Sequence, residues 1–262
     1  MTLQSVEYGK TLNWSAVSGD YARHRNGYPE SFFSLLKSLG VGLPGQRILD
    51  LGTGTGALSI PFARQGAMVT GIDVAPGQIA AARDRAEKEG LKIHFIEASA
   101  ERTGLPSASF DAVTASMCWG YFDPGKAIPE TLRVLATGGV LAVTSILWRS
   151  RGADVASRSN ALIRRYNPLY GQRQGSPDEE DPSPEWSRRH FRLRTLHHYD
   201  ETVRFSREQW LGRIRASKWI GAALTPEKVE AFDQEHRHLL RKEPEVLDID
   251  HRIRLQIFTP LR

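Results

Sequence analysis

The sequence has a single cysteine, Cys118, so an internal disulfide is excluded. It also has no run of 18 apolar residues and no basic segment followed by an apolar stretch near Met1, which argues against a membrane span and a secretory signal. The eight histidines do not occur at the spacing of metal ligands. These absences predict a cytoplasmic protein without a metal site. The length of 262 residues suits one α/β domain with an insertion.

Positive charge is concentrated in one part of the chain. The formal net charge is +5, but residues 1–148 hold equal numbers of basic and acidic side chains. Residues 149–219 carry a net charge of +6, and residues 220–262 carry −1. The excess predicts either an anionic partner for residues 149–219 or a solvated surface whose cations pair with nearby acids.

Short apolar segments alternate with helical patterns through the first 148 residues. The predicted strands cover residues 48–51, 68–73, 92–96, 110–115 and 140–147. Such alternation favours a mostly parallel sheet with helices on both faces. The pattern breaks after Trp148, so we predict a core over 1–148, a substrate cap over 149–219 and a C-terminal helix and strand over 220–262 that complete the core. Within the cap, residues 171–184 are rich in Gly, Pro, Ser and acid and predict a mobile loop.

A glycine-rich turn follows the first predicted strand, and the second strand ends in Asp73. The turn reads Asp50-Leu51-Gly52-Thr53-Gly54-Thr55-Gly56. Glycines let a ligand approach the backbone and leave N–H groups free at a helix N-terminus. A carboxylate about 20 residues further on can accept hydrogen bonds from both hydroxyls of a ribose. The pattern therefore predicts a βαβ unit that binds a nucleoside.

The spacing of these glycines also fits the dinucleotide pattern Gly-x-Gly-x-x-Gly/Ala. Asp50 separates the two possibilities, because a carboxylate facing the turn would repel a pyrophosphate. The same carboxylate would attract a ligand that carries an ammonium and a sulfonium. We therefore expect S-adenosylmethionine rather than a nicotinamide or flavin dinucleotide.

With these features the chain resembles the class I S-adenosylmethionine-dependent methyltransferases, and within them the group containing trans-aconitate methyltransferase. The glycine turn and the run Glu130-Thr131-Leu132-Arg133-Val134-Leu135-Ala136-Thr137-Gly138-Gly139-Val140-Leu141 carry the resemblance to the superfamily. The segments 21–29, 99–106 and 109–115 carry the resemblance to the group. Two positions depart from that group: His24 replaces a tyrosine, and residues 117–122 differ. The resemblance implies a Rossmann-like, doubly wound, seven-stranded sheet whose last strand, 252–258, is antiparallel, with a small helical or irregular cap.

The resemblance also implies roles for individual residues. Asp50, Gly52, Thr53, Gly54 and Gly56 would hold the methionine part of the donor, Asp73 the ribose, Val74, Ser99 and Ala100 the adenine, Ser116 the sulfonium, and Arg25 (or Arg23) the methionine carboxylate. The arginines could equally belong to a solvated face. His24, Tyr121, His197 and His198 are candidates for acid–base chemistry by residue type alone, and packed or solvated roles are commoner for such residues.

Three functions remain open at this point. The first is methylation of a small molecule, anionic or carboxylate-bearing, beneath the cap. The second is methylation of RNA with residues 149–219 as a phosphate-binding surface, although the aromatic residues of that segment match no RNA-binding module. The third is a non-catalytic S-adenosylmethionine sensor. The sequence disfavours a nucleic-acid partner and does not fix the acceptor, the methylated atom or the oligomeric state.

Overall fold

The computed structural model describes residues 5–7, 10–24, 27–171 and 183–261. Within these residues the elements are, in chain order, β1 (Ser5–Glu7), β2 (Lys10–Leu12), α1 (Ser18–His24), α2 (Glu30–Ser38), β3 (Arg47–Leu51), α3 (Ser59–Arg64), β4 (Met68–Asp73), α4 (Pro76–Lys88), β5 (His94–Glu97), β6 (Phe110–Ser116), α5 (Pro124–Val134), β7 (Leu135–Trp148), α6 (Val155–Tyr166), α7 (Glu185–Arg188), β8 (Phe191–Ser206), α8 (Arg207–Arg215), α9 (Pro226–Leu240) and β9 (Val246–Pro260). None of the helices in these ranges is long and apolar enough to cross a membrane.

Seven of the strands form one sheet in the order β5-β4-β3-β6-β7-β9-β8. Strands β3 to β7 are parallel to one another, and β9 is antiparallel to both β7 and β8. The predicted seven-stranded sheet with an antiparallel last strand is confirmed. Strand β8 lies inside the predicted cap segment 149–219, so that segment contributes an edge strand to the core sheet as well as helices.

Both faces of the sheet are covered because its central strands are apolar on both sides. Ile48 packs with α2 and α3 on one face, where the rings of Phe32 and Phe62 are fully buried. Leu49 packs on the opposite face with Ile128 of α5. Burying each such side chain contributes about 1.5–3 kcal/mol. This two-sided burial positions the carboxyl ends of the parallel strands along one edge.

A further apolar core, which we call the cap, is built from α6, α8, α9 and the ends of β8 and β9, so it extends beyond the predicted cap segment 149–219 into the C-terminal segment. Trp210 of α8 is fully buried there, and its ring packs edge-on against Trp148 at a centroid distance of 5.7 Å. This contact joins the end of β7 to the cap. Most of the predicted mobile loop, residues 172–182, lies outside the described residues.

The segment 10–24 lies against both the core and the cap. Asn13 N donates to Ala222 O at 3.0 Å, beside the cap helices. Asp20 of α1 accepts two hydrogen bonds from Arg215 of α8, at 2.5 and 2.9 Å. Because of these contacts Trp14 lies over the carboxyl ends of the parallel strands.

Candidate functional site

A cavity of about 350 Å³ lies at the carboxyl ends of the parallel strands, where open α/β sheets bind their ligands. We call one end the turn half; its walls are Trp14, Gly52, Gly54, Asp73, Val74, Gln78, Ala98 and Ala100. We call the other end the cap half; its walls are Leu147, Trp148, Tyr170, Arg213, Ala216, Ser217, Lys218 and Trp219. Ser116, Met117, Cys118, Gly120, Tyr121 and Phe122 lie between the two halves.

The glycine turn forms the floor of the turn half. Gly52 has a φ of +59°, and a Cβ at this position would lie 2.9 Å from the Cβ of Cys118. Only glycine fits such a conformation and such a close contact. Gly56 does not line the cavity, and a Cβ there would lie 3.0 Å from the side chain of Ile60. Gly52 therefore shapes the cavity, whereas Gly56 allows α3 to pack closely.

The prediction that this turn leaves its N–H groups free is wrong for three residues. Thr53 N donates to Ile72 O at 2.8 Å, and Gly56 N donates to Thr53 O at 3.0 Å. Gly54 N donates to Asp73 Oδ2 at 2.9 Å. These donors are consumed within the protein, because the turn must satisfy its own backbone groups. They do not form an anion-binding cradle.

Asp50 lies beneath the turn and does not line the cavity. It is 2% exposed, and its two oxygens accept hydrogen bonds from Ser59 Oγ and Thr114 Oγ1, each at 2.8 Å. Burial raises the pKa of Asp50 to about 6, and the hydroxyl donors only partly offset this. Thr53 is also buried, with its Oγ1 2.8 Å from Ser59 Oγ. Asp50 was predicted to contact a ligand, but its side chain instead lies below the turn and holds it in place through hydrogen bonds to Ser59 and Thr114.

Asp73 lines the turn half at the end of β4, as the sequence predicts. Its carboxylate accepts one backbone N–H on each oxygen, from Gly54 and Ala75, both at 2.9 Å. Burial raises the pKa of Asp73, and these backbone hydrogen bonds act in the opposite direction. Each carboxylate oxygen has a second lone pair, so Asp73 can still accept hydrogen bonds from ligand hydroxyls.

Gln78 of α4 is a wall residue that the sequence reasoning missed. It is 2% exposed, and its Nε2 donates to Trp14 O at 3.2 Å. Its Oε1 is buried and has no hydrogen-bond partner. An unsatisfied buried acceptor of this kind costs about 1–3 kcal/mol. A glutamine near the start of a helix gives no sequence signal that it lines a cavity.

The other residues predicted to contact the donor are divided. Val74 and Ala100 line the turn half, whereas the neighbouring Ala98 takes the place predicted for Ser99. Ser116 lines the middle of the cavity, and its Oγ lies 2.6 Å from the hydroxyls of both Tyr28 and Thr144. Arg25 lies outside the described residues.

Of the four candidates for acid–base chemistry, only Tyr121 lines the cavity. Its ring packs edge-on against Trp14, with ring centroids 5.8 Å apart. His24 instead packs its ring against the backbone of Gly212 in α8, leaving no space there for a Cβ. His198 is exposed on β8, as is His197, and neither lines the cavity. The packing of α1 against α8 determines where His24 lies, and the pairing of β8 with β9 determines where His197 and His198 lie. Residue type alone does not predict such long-range contacts.

Two cations of the basic segment enter the cap half. The guanidinium carbon of Arg213, a residue that is 6% exposed, lies 4.9 Å from the ring centroid of Trp148. Lys218 Nζ lies 4.5 Å from the ring centroid of Trp219 and 5.2 Å from that of Tyr121. Between them Ser217 is buried, and its Oγ has no hydrogen-bond partner.

Many other arginines of residues 149–219 form ion pairs on the surface. These pairs are Arg149–Asp200, Arg151–Asp200, Arg151–Asp250, Arg158–Glu243, Arg165–Glu235, Arg204–Asp248 and Arg207–Glu245. Exposed pairs of this kind each contribute about 0–1 kcal/mol. Six arginines of the basic segment are therefore paired with acids at the surface, whereas Arg213 and Lys218 line the cavity.

Comparison with known proteins finds similarity in the part of the chain that builds most of the turn half. Residues 48–139 match a protein family described as a methyltransferase domain. A demethylmenaquinone methyltransferase from Thermus thermophilus is 44% identical over 111 residues, which are 41% of this chain and 50% of that protein. A ubiquinone/menaquinone biosynthesis C-methyltransferase from Vibrio parahaemolyticus is 39% identical over 107 residues, 38% of this chain and 41% of that protein. The chain thus spans about half the length of the curated relatives it matches.

Solved structures share the fold over nearly the whole chain. A protein from Anaeromyxobacter dehalogenans assigned as a type II methyltransferase has a TM-score of 0.62 at 23% identity, covering 89% of this chain and 97% of its own. A methyltransferase from Geobacter sulfurreducens, solved with S-adenosyl-L-homocysteine, has a TM-score of 0.51 at 18% identity, covering 99% and 100%. The narrower resemblance to the trans-aconitate methyltransferase group stays a prediction. Residues 48–139 therefore resemble a methyltransferase domain, and the chain as a whole has the fold of these solved methyltransferase structures.

Proposed function

We propose that this protein transfers the methyl group of S-adenosylmethionine to a small, carboxylate-bearing acceptor held in the cap half. The observation that carries the proposal is the continuity of one cavity. A carboxylate suited to a ribose, Asp73, lines one end, and two cations, Arg213 and Lys218, line the other. Donor and acceptor would therefore meet near Ser116 and Met117, in the middle of the same space.

The residues of the turn half fit the donor. Asp73 would accept hydrogen bonds from the ribose hydroxyls, and Val74 and Ala100 would contact the adenine. The absence of a Cβ at Gly52 leaves room for the donor beside the turn. When bound, S-adenosylmethionine supplies a methyl group on a positively charged sulfur, which a nucleophile displaces in line.

The protein would act mainly by positioning. A carboxylate nucleophile needs no proton removed, so a general base is unnecessary. Holding the two reactants in a shared, largely apolar cavity makes the encounter intramolecular and excludes water. Tyr121 lies between the two halves and is the described residue of acid–base type best placed to donate a hydrogen bond there. His24 and His198 do not line the cavity and have no role in this proposal.

Electrostatics favour an anionic acceptor. The described residues that line the cap half and the middle of the cavity contribute two cations and no carboxylate. The planar fork of Arg213 suits two-point contact with a carboxylate. The surface pairing of many other arginines in residues 149–219 favours this reading over an RNA-binding surface.

The test is transfer of labelled methyl to matched acceptors, each acid beside its amide. Acids should be methylated and amides should not. Lys218→Gln should weaken binding of the acid by about tenfold, as expected for loss of a charged hydrogen bond. Lys228→Gln on the exposed start of α9 is the matched control, because it removes the same charge away from the cavity. Equal methylation of acids and amides would refute the acceptor class. Transfer from extract that disappears after ribonuclease treatment would favour RNA, and absence of any turnover would favour a sensor.

A further inference from the structure

We infer that the acceptor is a flat, unsaturated acid, and that Asn160 is the positioning residue that gives the cap half this preference. The inference rests on the proposed function and narrows its acceptor class. It depends on how the aromatic walls of the cap half are held, which neither the matched domain nor the curated relatives describe.

Aromatic rings make up much of the wall around the acceptor end. Trp148, Tyr170 and Trp219 line the cap half, and Tyr121 lines the middle of the cavity next to it. The rings of Tyr170 and Trp219 pack edge-on at a centroid distance of 5.3 Å, and both residues are buried. Rings packed in this way cannot move apart to fit a bulky saturated group without losing their contacts. A flat ligand ring would gain edge-on or offset contacts with them.

Asn160 of α6 fixes two of these rings with one atom. Its Oδ1 accepts a hydrogen bond from Trp148 Nε1 at 3.0 Å and another from Tyr170 Oη at 2.7 Å. An indole N–H can only donate, so the shared atom must be the amide oxygen. Both polar groups are thereby satisfied inside the cap, and Trp148 and Tyr170 offer apolar ring atoms to the cavity.

The same residue also sets the position of a cation. Trp148, held by Asn160, has the guanidinium of Arg213 at 4.9 Å from its ring centroid. One hydrogen-bonded residue therefore fixes a ring and a positive charge relative to each other. An acceptor whose anionic group is attached directly to a flat ring would match both features at once.

Asn160 is otherwise an unfavourable choice at this position. It is 7% exposed in the middle of a helix, where asparagine has low propensity and a buried amide needs partners. A leucine would fit the apolar face that α6 presents to the cap core. The two hydrogen bonds to cavity-lining rings explain why this position holds an asparagine.

The test compares two acids of equal charge and similar size, 2-naphthoate and decahydronaphthalene-2-carboxylate. Their dissociation constants are measured by titration with S-adenosylhomocysteine at saturation. The wild-type protein should prefer the flat acid by about two- to tenfold, the contribution of aromatic contacts beyond buried area. Asn160→Leu, which loses both hydrogen bonds, should bring the ratio close to one. Asn160→Asp keeps an acceptor oxygen for both donors and should keep the ratio, because its added charge affects the two acids equally.

Two further measurements keep the outcome decisive. If Asn160→Leu does not fold, Tyr170→Phe removes only one of the two hydrogen bonds and should lower the ratio partway, and Trp219→Leu should lower it by removing one wall. A wild-type ratio near one, or a ratio that survives Asn160→Leu, overturns the inference. Calorimetry with S-adenosylhomocysteine separates failure of this inference from failure of the proposed function. If the product binds but the protein does not prefer the flat acid, only the flat-acid inference is overturned. If neither the product nor any acid binds, the proposed function falls as well.

Discussion

Replacing Asp73 with asparagine should weaken binding of S-adenosylhomocysteine strongly while leaving the fold intact. The carboxylate of Asp73 accepts one N–H from Gly54 and one from Ala75, each at 2.9 Å. An asparagine oxygen can keep one of these hydrogen bonds. Its NH₂ group must then face the other N–H, and it presents a donor where the ribose also presents donors.

The magnitude follows from the bonds that are lost. A hydrogen bond to a charged group contributes about 1.5–3 kcal/mol, and one lost ribose contact of this kind weakens binding about ten- to a hundredfold. Burial raises the pKa of Asp73, which means that the buried charge carries a desolvation cost. Removing the charge removes part of this cost and so partly offsets the lost hydrogen bond in the folded state. The loss should therefore appear in ligand affinity more than in the free energy of unfolding.

Isothermal calorimetry with S-adenosylhomocysteine measures this change directly. Asp84→Asn is the control, because Asp84 lies on the exposed side of α4 and pairs with Lys88 at 2.6 Å. It should leave the affinity unchanged. An Asp73→Asn protein that unfolds at the wild-type temperature and binds the product as tightly as wild type would refute the role given to Asp73.

Three other predictions concern the glycine turn. Burial raises the pKa of Asp50 from 3.8 to about 6, so the folded state binds this proton more tightly and the free energy of unfolding falls as pH rises through this interval. Asp50→Asn should abolish this pH dependence. Denaturant unfolding at several pH values measures it, and a dependence that persists in the variant would contradict the prediction. Gly52→Ala should lower stability by about 1–3 kcal/mol through its φ of +59° and the clash with Cys118, whereas Gly120→Ala, where a Cβ meets nothing within 4 Å, should not; equal melting temperatures would contradict this. NADH should not bind at micromolar concentration, because Gly54 N–H already bonds to Asp73, and a saturable fluorescence titration would disprove it.

Local patterns in the sequence predicted the parallel part of the sheet and one end of the cavity. Alternating strands and helices were enough for the five parallel strands β3 to β7, since each carries its own apolar signal, whereas the count of seven strands and the antiparallel last strand came from the resemblance to the methyltransferases. Asp73 was found because its position at the end of β4 follows from the strand that precedes it. Such features depend on residues close together in the chain.

The errors arose where a side chain depends on distant partners. Asp50 was expected to face a ligand, but Ser59 and Thr114, 9 and 64 residues away, take its oxygens beneath the turn. The basic segment gave no sign that Arg213 and Lys218 would be its cavity-lining cations, because this depends on how α8 and the residues that follow it pack against α6 and α9. The packing of His24 against Gly212 could not be predicted for the same reason.

The two halves of the cavity come from different stretches of the chain, and this has an evolutionary consequence. Apart from Trp14, the turn half is built by residues 52–100, inside the matched domain, whereas the residues of the cap half all lie beyond its end at residue 139. If the cap half binds the acceptor, as proposed, substitutions in residues 147–219 can change the acceptor without changing the residues that bind the donor. Descendants of one ancestor can diverge in acceptor and still share the matched domain. Similarity confined to that domain accordingly reports shared descent of the donor end and says little about the acceptor.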